Sequence, residues 1–125
     1  MLIGVPKEIK SDEYRIGLTP ESVEKLTQSG HEVMIEQNAG LGIGKDNKAY
    51  EDAGAEIVPT REEIFQRAEM IVKVKEPQLD ECALLRSDQI LFTYLHLAPD
   101  PEQVKALLAS GCRAIAYESV KADDG

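Results

Sequence analysis

The sequence predicts an α/β fold built on an open, doubly wound and mostly parallel sheet with helices on both faces. Short β-branched runs alternate with capped amphipathic segments along most of the 125 residues, which is typical of βα units that feed a parallel sheet. A crossover between parallel strands is almost always right-handed, so an open sheet is the simplest arrangement of these units. The length and a hydrophobic content of 42% suit one compact domain.

The first half of the chain contains three predicted strands, at 2–5, 31–36 and 56–58. Thr19 and Pro20 are an N-cap and a first-turn proline, and Gly30 can end the helix, which predicts a helix over 20–29. The segment 31–36 alternates polar and apolar residues, so we expect a half-buried, edge-like strand that opens at His31. A short helix is expected over 48–53, closed by Gly54.

The loop 38–47 contains three glycines, Gly40, Gly42 and Gly44. Their spacing is G-x-G-x-G, whereas a dinucleotide fingerprint requires G-x-G-x-x-G between a strand and its helix. We therefore interpret this segment as a mobile or tightly turned surface loop.

The second half continues the same alternation. Thr60 with Glu63 predicts a capping box and a helix through about Ala68, followed by a strand at 70–74. Pro77 interrupts the chain, a turn or two of helix is expected over 80–85, and the apolar run 89–95 predicts a strand covered on both faces, at the centre of the sheet. The result is a Rossmann-like or flavodoxin-like architecture.

The last helix and strand follow from a second cap signature. Asp100 and Pro101 begin a helix in which Val104, Leu107 and Leu108 share one face, and Gly111 ends it. A final strand is expected at 114–117, which gives six strands and five helical pieces in all.

Composition narrows the class of function. A formal charge of −9 opposes binding to nucleic acid or to an anionic membrane surface, and no apolar run approaches the roughly 18 residues that a membrane helix needs. We expect a soluble, cytoplasmic protein.

Cys82 and Cys112 do not make a disulfide framework or a zinc site and are expected to be small, partly buried hydrophobes. No cluster of metal ligands, Walker motif or Ser-His-Asp pattern is visible, so no metal site is predicted.

Ligands of an open parallel sheet gather beyond the carboxyl ends of its strands, which nominates three side chains. Arg15 follows the first strand and can grip a carboxylate with its planar fork. Lys75 follows the strand at 70–74, on the same side as Lys73 if that strand continues. His96 ends the apolar strand and has a pKa suited to proton transfer. Lys75 and His96 also have structural interpretations: a solvated lysine at a strand end, and an interior histidine with its hydrogen bonds satisfied.

Five segments together resemble the N-terminal region of the alanine dehydrogenase family: GVPKE at 4–8, YRIGLTP at 14–20, GHEV at 30–33, VKVKEP at 72–77 and LFTYLHL at 91–97. The NAD-binding subunit of proton-translocating transhydrogenase shares this fold and several of the segments. The segments around Lys75 and His96 favour the dehydrogenase.

The resemblance implies reversible oxidative deamination of L-alanine to pyruvate and ammonia with NAD. It places substrate binding at Arg15 and Lys75, and acid–base catalysis at His96 with Lys75. Members of the family are longer, form homo-oligomers and bind NAD mainly in a Rossmann domain that this segment lacks. We therefore expect residues 1–125 to be the substrate-side domain of a two-domain enzyme and to be inactive alone. The alternatives are a transhydrogenase domain and a non-catalytic module that binds small carboxylates.

Overall fold

The computed structural model describes residues 1–9, 13–75, 77–93 and 101–116. These residues form six strands, which are β1 (Leu2–Val5), β2 (Glu32–Glu36), β3 (Glu56–Val58), β4 (Met70–Val72), β5 (Ile90–Thr93) and β6 (Arg113–Ala116). The helices are α1 (Pro20–Gln28), α2 (Asn47–Asp52), α3 (Arg61–Arg67), α4 (Leu79–Cys82) and α5 (Pro101–Ser110). A short 3₁₀ turn spans Leu41–Ile43.

All strand pairs are parallel, and the strands lie in the order β3-β2-β1-β4-β5-β6. The chain winds outward in one direction from β1 and in the other from β4, so the predicted doubly wound sheet is confirmed. The two halves meet where Ile3 pairs with Met70 and Gly4 with Ile71. In such a sheet the crevice at the carboxyl ends of the two central strands is the usual place for a ligand.

The helix starts follow from the predicted caps. The hydroxyl of Thr19 accepts a hydrogen bond from the backbone N–H of Ser22, and that of Thr60 accepts one from Glu63. Each bond satisfies one of the N–H groups that a first helical turn leaves without a partner. The last helix begins at Pro101 and is followed by Gly111 in the left-handed region, as expected. Asp100, its predicted cap, lies outside the described residues.

Both faces of the sheet are covered by apolar clusters. One cluster contains Val33 and Ile35 of β2, and the other contains Met34 of the same strand. Since neighbouring residues of a strand point to opposite faces, β2 is buried on both sides. The prediction of a half-buried, edge-like strand is therefore wrong: β2 lies between β1 and β3, and Met34 is 1% exposed.

Three further expectations need correction. The apolar strand β5 is not at the centre of the sheet, because β1 and β4 occupy that place. Strand β4 ends at Val72 and not at residue 74. In α5 Leu107 is buried but Leu108 is 75% exposed, so the two do not share a core face.

Two other features agree with the sequence or add to it. Cys82 is buried, Cys112 is half-buried and both are free thiols. The glycine loop is tightly turned and is closed by Gly44 in the left-handed region.

Across the described part of the chain, no helix has the length and apolar character required to cross a membrane.

Candidate functional site

The candidate site lies at the carboxyl ends of β1 and β4, where the two halves of the sheet diverge. The segment after β1 carries Glu8, Glu13 and Arg15, and the segment after β4 carries Lys73 and Lys75. The central position of both strands brings these side chains together although about half of the chain separates them in sequence.

Arg15 is held by the carboxylate of Glu13. Its Nε lies 2.9 Å from Oε2 and its Nη2 lies 2.8 Å from Oε1, so the guanidinium makes a two-point contact. The backbone N–H of Arg15 also donates to Oε2, at 2.8 Å. The side chain of Glu13 is only 4% exposed, whereas that of Arg15 is 61% exposed and can be reached from solvent.

Lys75 approaches the same carboxylate from the β4 side. Its Nζ is 4.0 Å from Oε1 of Glu13, and its side chain is 33% exposed. The hydrogen bonds from Arg15, with help from the charges of Arg15 and Lys75, lower the pKa of Glu13 to about 2. Two cations from different strand ends therefore converge on a single carboxylate oxygen.

A cavity of about 280 Å³ opens beside this group. Its lining includes Arg15, Glu13 and residues of the glycine loop, among them Leu41 and Gly42. A Cβ at Gly42 would overlap the backbone carbonyl of Tyr14, so only glycine lets the loop approach the segment that carries Arg15. The glycine loop thus forms one wall of the site.

A cluster of buried charges adjoins the cavity through Glu8, which is one of its lining residues. Nζ of Lys73 is 3.2 Å from Oε1 of Glu8 and 3.0 Å from Oε2 of Glu81. All three side chains are 2% exposed or less. Burial raises the pKa of Glu8, an effect that the charge of Lys73 and hydrogen bonds from backbone N–H groups oppose.

The backbone of Lys75 is fixed at both of its polar groups. Its N–H donates to Oε1 of Glu8 at 3.2 Å, and its carbonyl accepts a hydrogen bond from Oγ1 of Thr93 at 2.7 Å. Thr93 is the last residue of β5 and is buried. The lysine therefore lies between the ends of three neighbouring strands.

Of the residues predicted from the sequence, Arg15 and Lys75 are brought together and His96 lies outside the described residues. The expectation for Lys73 depended on a longer strand. Because β4 ends at Val72, Lys73 and Lys75 do not act as a pair: the ammonium of Lys73 is buried against Glu8 and Glu81, whereas that of Lys75 faces Glu13.

Sequence reasoning missed Glu8, Glu13 and Thr93. Glu8 follows β1 as closely as Lys75 follows β4, so the rule that nominated the lysine also applies to it. Glu13 is two residues before Arg15, a spacing from which a carboxylate can reach back to the guanidinium. Thr93 gave no local signal, because a threonine in a strand is common.

The turn after β1 does not fit the phosphates of a dinucleotide. The turn after β1 contains Pro6, Lys7 and the buried Glu8 where a nucleotide-binding turn requires glycines, and α1 begins only at Pro20. Among the described residues, no group of three or more His, Cys, Asp or Glu side chains is placed to hold a metal ion.

Comparisons with known proteins agree with this architecture. A family model described as "Alanine dehydrogenase/PNT, N-terminal domain" matches residues 4–125. The chain is 54% identical over 124 residues to an alanine dehydrogenase of Methanococcus maripaludis, with 99% of this chain and 33% of the relative covered. It is 52% identical over 120 residues to an alanine dehydrogenase of Bacillus subtilis, with 96% of this chain and 32% of that protein covered.

Two solved structures have the same fold. One, named L-alanine dehydrogenase, superposes with a TM-score of 0.93 at 50% identity and covers 99% of this chain and 34% of its own. A transhydrogenase from Sinorhizobium meliloti gives a TM-score of 0.86 at 30% identity, covering 94% of this chain and 35% of its own. The chain spans about a third of the length of the relatives it matches. It belongs to the alanine dehydrogenase/PNT N-terminal domain family.

Proposed function

We propose that residues 1–125 are the N-terminal, substrate-side domain of a longer two-domain enzyme that catalyses reversible NAD-dependent oxidative deamination of L-alanine to pyruvate and ammonia. The observation that carries this proposal is the convergence of Arg15 and Lys75 on one carboxylate oxygen of Glu13, with Nη2 at 2.8 Å and Nζ at 4.0 Å. The spacing of the two cations suits the carboxylate that alanine and pyruvate have in common.

The overall reaction converts L-alanine, NAD⁺ and water to pyruvate, ammonium, NADH and a proton. NAD, bound mainly by a part of the enzyme outside this chain, would supply the acceptor for the hydride that leaves Cα of alanine. In the proposal Arg15 and Lys75 hold the substrate carboxylate, and Lys75 also stabilises negative charge that develops on the carbonyl oxygen. His96 moves the protons as water adds and ammonia leaves.

The relatives support the remaining assignments. They are named alanine dehydrogenases and are 44–54% identical to this chain, so alanine, pyruvate and NAD are the proposed small-molecule partners. We propose a cytoplasmic homo-oligomer for the full-length protein. The negative charge of the chain argues against partners among nucleic acids and anionic membranes.

Steady-state kinetics of the full-length protein test this function. The wild type should consume NADH only when pyruvate and ammonium are both present. His96→Ala should lower kcat at least about a hundredfold, since a positioned acid–base group contributes about 10² to 10⁴. Lys75→Met, which keeps the length of the side chain and removes its charge, should raise KM for pyruvate and lower kcat.

Three results would overturn parts of the proposal. Normal kinetics in either variant would remove the role given to that residue. Alanine-dependent NADH formation by the isolated 125-residue chain would contradict its assignment as a partial site. Pyruvate binding without turnover by the full-length protein would instead favour a non-catalytic carboxylate-binding module.

A transhydrogenase domain is the second candidate, because the Sinorhizobium meliloti transhydrogenase superposes with a TM-score of 0.86. Its sequence is 30% identical to this chain, against 50% for the alanine dehydrogenase structure. The two functions differ in the acceptor of the hydride that NADH donates. Reduction of an oxidised NADP analogue by NADH without pyruvate and ammonium would support the transhydrogenase.

A further inference from the structure

We propose that Glu8 and Thr93 are positioning residues that fix the position of the Lys75 ammonium. They do so through hydrogen bonds to the backbone N–H and carbonyl of that lysine, and we call this pair of contacts the clamp. This inference rests on the proposed function, since it concerns the carboxylate site in which Lys75 acts. Neither residue carries a role in the function proposed above.

The Glu8 arm of the clamp joins the two central strands. Its Oε2 accepts a hydrogen bond from the N–H of Val74 at 3.1 Å, and its Oε1 accepts one from the N–H of Lys75 at 3.2 Å. A single carboxylate thus holds two consecutive N–H groups just beyond Lys73, whose own N–H still donates to the carbonyl of Phe92 in β5 at 3.0 Å. A glutamine cannot reproduce this arrangement, because its amide offers one acceptor oxygen and turns an NH₂ group toward one of the two N–H donors.

The carboxylate of Glu8 is itself held in place by the buried ammonium of Lys73. Lys73 donates to its Oε1 at 3.2 Å and to Oε2 of Glu81 at 3.0 Å. The side chain of Glu8 is 2% exposed, so a charge there would be costly without these partners. Lys73 therefore fixes the carboxylate that holds the turn carrying Lys75.

The Thr93 arm comes from the opposite side. Its hydroxyl donates to the carbonyl of Lys75 at 2.7 Å, and the residue is 0% exposed at the end of β5. With the N–H held from β1 and the carbonyl held from β5, the peptide groups on both sides of Lys75 are fixed. The flexible part that remains is the side chain, one third of which is exposed.

The clamp matters because an ammonium on a long stem reaches a substrate only if its backbone is correctly placed. A displacement of about 1 Å from the reacting group can cost about a hundredfold in rate. The backbone of Lys75 contacts Glu8 and Thr93, whereas its ammonium faces Glu13. Glu8 and Thr93 are therefore positioning residues and do not bind substrate themselves.

Thr93 offers the sharper test, because valine has nearly the same shape and lacks only the hydroxyl. Thr93→Val in the full-length enzyme should raise KM for pyruvate about three- to tenfold, the amount expected for one hydrogen bond. KM for NADH and the unfolding temperature should change little. Thr93→Ser keeps the hydroxyl and should restore wild-type KM.

A double-mutant cycle separates positioning of Lys75 from a general structural effect. In a Lys75→Met background the ammonium is gone, so Thr93→Val should raise KM for pyruvate no further. Glu8→Gln should raise KM as Thr93→Val does. Glu81→Gln is the matched control, because it removes the other carboxylate that contacts Lys73. Within the described residues the side chain of Glu81 accepts a hydrogen bond from the N–H of Gln78 and does not contact the backbone of Lys75.

The outcomes distinguish this inference from the proposed function. A Lys75→Met enzyme with wild-type affinity for pyruvate would overturn the carboxylate site and the clamp together. If Lys75→Met loses affinity but Thr93→Val has wild-type KM, or has the same effect with and without Lys75, only the clamp is wrong. An equal rise in KM for Glu81→Gln would also overturn it.

Discussion

The guanidinium of Arg15 holds the carboxylate of Glu13 by two hydrogen bonds, from Nη2 at 2.8 Å and from Nε at 2.9 Å. The two residues are separated by one position in sequence, so the contact closes a small loop after β1. Because Glu13 is nearly buried and Arg15 is mostly exposed, the carboxylate acts as an anchor and the guanidinium faces outward. This relationship is open to direct test by mutation and by pH.

Substitution Glu13→Gln should lower the stability of the chain in a pH-dependent way. The folded protein lowers the pKa of Glu13 from 4.5 to about 2, so the charged form stabilises the fold above pH 4.5, and this contribution is lost as the pH falls toward 2. The difference in free energy of unfolding between wild type and variant should therefore shrink over that range. Urea unfolding at a series of pH values measures it.

The comparison is internally controlled, because Glu8 and Glu36 titrate in both proteins. Burial raises the pKa of both groups, and their effect on stability has the opposite sign from that of Glu13. Their contributions cancel in the difference between the two proteins. A constant difference down to pH 2 would mean that Glu13 is not paired as described.

Arg15→Lys should weaken pyruvate binding although it keeps the charge. A lysine cannot reproduce the planar, two-point contact with Glu13 and cannot offer a fork to a second carboxylate. Loss of one charge-assisted hydrogen bond corresponds to about a ten- to hundredfold rise in KM. Measuring KM for pyruvate and for NADH in the full-length enzyme checks this, and a KM for pyruvate that stayed at the wild-type value would count against Arg15 as a carboxylate ligand.

Gly42→Ala should disturb the site more than Gly44→Ala. A methyl group at Gly42 meets the carbonyl of Tyr14, so either the loop or the segment carrying Arg15 must move, at a cost of about 1–3 kcal/mol in stability. Gly44 has open space around its Cβ position but a φ of 76°, so alanine there costs about 1 kcal/mol of strain only.

The measurement that separates the two glycines is affinity for the carboxylate. Gly42→Ala should raise KM for pyruvate, whereas Gly44→Ala should lower the unfolding temperature and leave KM unchanged. If both variants left KM unchanged, the glycine loop would be a surface feature with no part in the site.

Lys73→Met should be strongly destabilising. It leaves the carboxylates of Glu8 and Glu81 buried without a cation, and breaking a buried ion pair in this way typically costs about 3–5 kcal/mol. Adding Glu8→Gln and Glu81→Gln removes the uncompensated charges and should recover part of the loss. Urea unfolding of the single and triple variants gives both numbers; a single variant as stable as wild type would show that Lys73 does not neutralise this cluster.

Much of the local structure could be predicted because local chemistry decides it. Thr19 and Thr60 cap their helices as their spacing indicates, and Gly111 follows the last helix in the left-handed region. The strand-end rule predicts Arg15 and Lys75 as site residues, and the fold brings both to the carboxylate of Glu13. In both cases the signal lies within a few residues of the feature that it predicts.

The sequence by itself determined the alternation of strands and helices and the doubly wound class, and it predicted Arg15 and Lys75 as candidate site residues. Only the tertiary structure decided the order of the strands, which makes β1 and β4 central and buries both faces of β2. It also decided that Glu8 meets Lys73 and Lys75 across 65 and 67 positions of sequence. The reason is physical: a cap or turn is fixed by neighbouring residues, whereas a buried ion pair between two strand ends exists only once the crossovers have placed those strands side by side.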